Sequence, residues 1–147
     1  MKTTWVVVAH RAGARILEHR VPGKGLSLVT QVDHQAGRLR NSEINTDRPG
    51  RAFQRAGEGR SPMGTEESAH ERDAANFARQ VADLVHAGRN ENRFGQLVLV
   101  AEPRFLGLLR GALDGVTAST VTGTVSKDLA HLDVRDLAPH LENVMNV

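Results

Sequence analysis

Two uninterrupted apolar runs constrain this chain most: Trp5-Val6-Val7-Val8-Ala9 near the start and Leu97-Val98-Leu99-Val100-Ala101 past the middle. A strand with one face in water alternates apolar and polar residues. A run with no polar member is what a strand buried on both faces looks like. Around these runs, local signals supply the other elements. His10-Arg11-Ala12-Gly13 makes a turn, and residues 14–19 read as a returning strand. Val21-Pro22-Gly23-Lys24-Gly25 makes a second turn. Leu26, Leu28, Thr30 and Val32 then alternate with Ser27, Val29, Gln31 and Asp33, predicting a third strand and an antiparallel three-strand meander.

The second half alternates helix and strand. Ser68 and Glu71 have capping-box spacing, with Glu66 and Glu67 suited to the positive end of a helix dipole. Phe77, Val81, Leu84 and Val85 form one apolar stripe, and Ala87-Gly88 predicts the helix end. After Gln96 and the second apolar run, Pro103 marks a helix start, with Phe105, Leu106, Leu109 and Leu113 as its stripe and Asp114-Gly115 as its stop. Residues 118–125 read as a strand. A last helix carries Leu137, Leu141 and Val144, starting near Asp136 because Pro139 is tolerated only in a first turn. The predicted class is α/β: a mixed β-sheet in the order β-β-β-α-β-α-β-α with helices packed on it.

At 147 residues, 39% apolar and 24% charged, the chain fits one globular domain, with no internal repeat and no linker to divide it. No apolar run approaches the roughly 20 residues that span a bilayer, so no membrane role is expected. There is no cysteine, hence neither a disulfide framework nor thiolate chemistry, and with no export signal the expected compartment is the cytoplasm.

Between the third strand and the first predicted helix, residues 36–65 lack periodicity. About 30 structureless residues inside a compact domain are functional or disordered. Three of the nineteen basic residues are lysine; the rest are arginine, and Arg38, Arg40, Arg48, Arg51, Arg55 and Arg60 fall in this loop. Against Glu43, Asp47 and Glu58 they give it a net charge of +3, more than the +2 of the whole chain. Arginine forks match phosphate oxygens in parallel pairs, and Gly50, Gly57 and Gly59 let backbone approach backbone, so these residues are the candidate nucleic-acid contact. Phe53 is the loop's sole aromatic, either a stacking platform or a pin onto the body.

A metal-dependent hydrolase needs carboxylates converging at strand ends. Asp33, Glu102 and Asp128 all fall near predicted strand termini, although the first strand ends in His10 followed by Arg11. Carboxylates there commonly form turns or caps, and the seven histidines show no ligand spacing, so neither a metal nor another cofactor is expected. An enzyme is the less favoured reading. A dimer is among the options for the oligomeric state.

Several blocks resemble the bacterial family of proteins required for attachment to host cells: Thr46-Asp47-Arg48-Pro49-Gly50-Arg51, Phe77-Ala78-Arg79, Leu97 to Ala101 running into Pro103-Arg104-Phe105-Leu106-Gly107, and Lys127-Asp128-Leu129. That family is similar to the middle domain of archaeal and eukaryotic peptide-chain release factors. The resemblance implies a ribonuclease-H-like fold and a ribosome- or RNA-associated partner. In release factors the corresponding loop carries a Gly-Gly-Gln motif; here no such motif occurs, and Gln54, between Phe53 and Arg55, is the glutamine in the matching loop. The resemblance thus implies contact by the loop, with an indirect part in host attachment and a hydrolase of peptidyl-tRNA or nucleic acid as alternatives.

Overall fold

The computed structural model describes residues 3–34 and 62–147. Its elements are β1 (Thr4–His10), β2 (Gly13–His19), β3 (Ser27–Asp33), α1 (Pro62–Asn90), β4 (Gln96–Val100), α2 (Pro103–Ala112), α3 (Gly115–Ala118), β5 (Val121–Val125), α4 (Val134–Leu137) and a 3₁₀ turn (Ala138–Leu141). Five strands form one mixed sheet in the order β3-β2-β1-β4-β5. β1–β2 and β2–β3 are antiparallel, whereas β1–β4 and β4–β5 are parallel.

The two apolar runs are β1 and β4, side by side at the centre and covered on both faces. On one face Trp5, Val7, Ile16, Leu97 and Leu99 meet Phe77, Val81 and Val85 of α1 and Phe105 and Leu109 of α2. Ala74, Ala78 and Ala82 lie in the same stripe of α1, and their small side chains let the helix sit close to the sheet. On the other face Val6, Val8, Leu17, Val98 and Val100 are covered by Leu129, Leu137 and Leu141 from the C-terminal segment.

Several expected boundaries move. α1 begins at Pro62, six residues before Ser68, so the Ser68–Glu71 spacing lies inside the helix rather than at its start. Proline fits a first helical turn because its missing N–H would have had no partner there. Glu71 instead meets Arg104, Oε1 to Nη2 at 3.0 Å. Nor does Gly88 end the helix. The left-handed residue is Asn92 (φ 58°), and the amides of Asn92 and Arg93 donate to the carbonyls of Arg89 and Gly88, both at 2.9 Å. This is a Schellman closure built on asparagine. Gly88 is small because it lies against the indole of Trp5.

In β3 a bulge opposite Ile16 and Leu17 breaks the expected alternation. Leu28 pairs with Leu17 and Thr30 with Ile16, so the strand changes face between them. Val29 and Val32 consequently pack beneath the helices, Leu26 packs on the opposite face, and Leu28 is 52% exposed. Residues 118–125 do not form one strand: α3 ends at Ala118 and β5 starts at Val121. The last predicted helix becomes α4 followed by the 3₁₀ turn, in which Pro139 sits at the start. A proline there removes the amide that a continuous helix would need.

Candidate functional site at the carboxyl end of the sheet

Because β3 is antiparallel to β2 and β2 to β1, the strands β1, β3, β4 and β5 all point the same way. Their carboxyl ends share one edge, where open α/β sheets commonly hold their ligands. His10 ends β1, Asp33 ends β3, Glu102 follows β4 and Asp128 follows β5. α1 runs against the parallel strands: Glu71 in its first half pairs with Arg104 beside this edge, while Gly88 near its end meets Trp5 at the opposite edge. His34, just beyond β3, stacks on Phe77 of α1 with ring centroids 4.5 Å apart. His34, before the arginine-rich stretch, and Glu71, in the helix after it, therefore both lie at the carboxyl end.

Most of that stretch lies outside the described residues. Arg38, Arg40, Arg48, Arg51, Arg55, Arg60, Gly50, Gly57, Gly59, Phe53 and Gln54 are all in this position, as is the Thr46–Arg51 block. Residues 62–65 are the first turn of α1.

At the same edge, on the face covered by the C-terminal segment, an open groove of about 240 Å³ runs between His10, Arg15, Gln31, Asp33 and Ala130. Arg15 donates from Nη2 to the Ala130 carbonyl at 3.1 Å. His10 Nδ1 accepts from the Ala12 amide at 3.0 Å. Asp128 Oδ1 accepts from the Ala130 amide at 3.3 Å, while Leu129 is buried beneath the sheet. Lys127-Asp128-Leu129 thus folds the loop that brings a carbonyl to Arg15. Glu102 is the N-cap of α2: its two carboxylate oxygens accept from the amides of Arg104 (3.1 Å) and Phe105 (2.7 Å). The sheet brings Asp33, Glu102 and Asp128 to one edge without gathering them. Among the described residues no group of three or more His, Cys, Asp or Glu could hold a metal ion.

Arg15 and Gln31 escape a reading based on strand ends. The signal was present, because Arg15 alternates with Leu17 and so occupies the same face as the buried apolar residues. A charge on that face marks where the cover stops. Arg11, in the β1–β2 turn at this edge, adds a buried Nη1 without a hydrogen-bond partner among the described residues.

The fold and site define a mixed α/β domain with a five-stranded sheet and a polar groove at its carboxyl edge. The family model described as "Protein required for attachment to host cells" matches residues 5–141, and the chain belongs to that family. Among solved structures, the chain is similar to an "Archaeal protein" at 10% identity and a TM-score of 0.49, with 98% of this chain and 35% of that one covered. It is also similar to an archaeal translation termination factor at 9% identity and a TM-score of 0.47, covering 96% of this chain and 39% of that one. The chain thus spans little more than a third of these structures. No curated protein matches it in sequence. Among the described residues no helix is long and apolar enough to cross a membrane.

Proposed function

We propose that this host-attachment-family protein works by contact with RNA, its arginine-rich stretch 36–65 serving as the contact. The observation that carries the reading is that His34, before the stretch, and Glu71, in the helix after it, both sit at the carboxyl edge, and the stretch between them has a net charge of +3. Basic residues held on a scaffold neutralise phosphates and release counterions, and the resulting affinity falls steeply with salt. Arg11 and Arg15 lie at the same edge and extend the positive surface. The ribosome is the RNA partner to try first, and a cytoplasmic location goes with it. The sheet order β3-β2-β1-β4-β5, antiparallel then parallel, supports a ribonuclease-H-like assignment of the fold.

A part in host attachment then follows indirectly, through an effect on the synthesis of other proteins. A hydrolase reading draws less support, because Glu102 already spends both carboxylate oxygens on the α2 amides.

Binding of the full chain to ribosomal RNA, followed by fluorescence anisotropy over a salt series, tests the proposal. Replacing Arg48, Arg51, Arg55 and Arg60 together with alanine should weaken binding. It should also flatten the slope of log affinity against log salt by roughly 3, at about 0.7 to 0.9 per lost phosphate contact. Unchanged affinity and slope would refute it.

A further inference from the structure

The opposite edge of the sheet carries a second polar site. Thr4 pairs with His19 on one side and with Gln96 on the other, so three adjacent strands place His19, Thr4 and Gln96 in one row across the face beneath the C-terminal segment. Thr122, at the bulge of β5 between Val121 and Gly123, lies beside the row, its hydroxyl donating to the Leu97 carbonyl at 3.5 Å. The next row inward is Leu17, Val6 and Val98, fully buried and apolar. Thr4 and His19 are only 6% and 7% exposed, two of the three buried polar side chains among the described residues. His19 Nε2 is buried with no hydrogen-bond partner among the described residues. Leaving such a group unsatisfied opposes folding, and residues that oppose folding concentrate where function needs them.

These residues line a cleft of about 440 Å³, within the range that holds small molecules. Its polar wall is rich in donors. The Thr4 hydroxyl donates to Gln96 Oε1 at 3.1 Å, which aims the Gln96 amide nitrogen elsewhere. Arg20 and Asn146 also line the cleft. Arg20 engages Glu18 through Nε at 3.2 Å. No carboxylate lines the cleft among the described residues. The remaining wall is apolar, from Val21 and Pro22 on one side and Val144 and Met145 on the other.

We infer that this cleft binds a small molecule with an oxyanion head, carboxylate or phosphate, on a short apolar body. The head sits among His19, Gln96 and Arg20, and the body lies against Val144 and Met145.

The test is a titration of the full chain with hexanoate, hexyl phosphate and hexanol, followed by proton–nitrogen correlation spectra of the histidine side chains, with His19 assigned from a His19→Gln variant. Saturable movement of the His19 signals with hexanoate or hexyl phosphate, but not hexanol, is expected, and the tighter of the two identifies the head group. Arg20→Ala, at a largely exposed side chain, and Gln96→Leu should each weaken binding about tenfold. Equal binding of hexanol, no saturable shift with either anion, or unchanged affinity in Arg20→Ala would each overturn the inference. Because the cleft lies at the edge opposite His34 and Glu71, which flank the arginine-rich stretch, RNA binding should survive Arg20→Ala, so the two readings fail separately.

Discussion

Adding one methyl group at Gly88 would drive a Cβ into overlap with Cη2 of Trp5 and place it 2.5 Å from Cζ3. The indole has little room to retreat. It is 2% exposed, stacks on Phe94 with centroids 4.8 Å apart, and carries the Arg93 guanidinium 5.4 Å from its centroid. Overpacking a filled core costs about 1–3 kcal/mol, and a rigid ring held on its other side belongs at the upper end. Alanine recovers at most about 1 kcal/mol of helix propensity. The net expectation for Gly88→Ala is a loss of about 2 kcal/mol, or roughly 4–8 °C in melting temperature for a domain of this size. Trp5 is the only tryptophan, so its fluorescence during urea unfolding reports directly on the site being strained. Gly107 and Gly111 in α2 supply the control, since a Cβ at either meets nothing within 4 Å. Alanine at those positions should stabilise by up to about 1 kcal/mol each. A Gly88→Ala protein as stable as the parent would mean that the helix and β1 are not in the contact described.

Two further outcomes follow from the caps. Glu102→Ala should cost about 1 kcal/mol by orphaning the Arg104 and Phe105 amides, and RNA binding should be unchanged; denaturant titration alongside anisotropy checks both. Asp114 caps α3 by accepting from the Thr117 amide at 2.7 Å, and that hydrogen bond, aided by the nearby His86 and Arg89 charges, holds its carboxyl below the ordinary 3.8. With a depressed folded-state value, the ionised cap stabilises above the unfolded pKa and is lost as pH falls through the lower folded one. The stability difference between the parent and Asp114→Ala should therefore shrink as pH falls below about 4. A difference that stays constant down to pH 2 would contradict that origin.

How much of this could be read in advance depends on whether a signal is local. The β1 and β4 runs and the stripes of α1 and α2 announce themselves because burial on both faces or on one helical face imposes a period. The β3 bulge does not, since its cause is the pairing with Ile16 and Leu17 on another strand. Ser68 and Glu71 mislead for the opposite reason: a capping box is short enough to occur within a helix that Pro62 has already begun. Gly88 reads as a stop until Trp5, more than eighty residues earlier, is placed against it. Of the carboxylates marked at strand ends, the sequence locates the edge but not the partners. Glu102 turns to its own helix, and Asp128 to its own loop. The polar row of His19, Thr4 and Gln96 is hidden because each member lies at the end of a different strand, and only the register aligns them.

β1, at the centre of the sheet, bonds on one side to β2 almost at once, but its other neighbour lies far along the chain: Thr4 and Gln96 are 92 residues apart. Closing so long a span before any parallel pairing rewards it makes folding slow relative to the local β1–β2–β3 hairpins. During synthesis the meander therefore exists first as a sheet with a bare edge and two uncovered apolar faces. One face waits for α1 and α2, the other for Leu129, Leu137 and Leu141. Unpaired β1 is the segment most exposed to aggregation in that interval. Expression temperature and chaperone supply should then govern the yield of this protein more strongly than its final stability does.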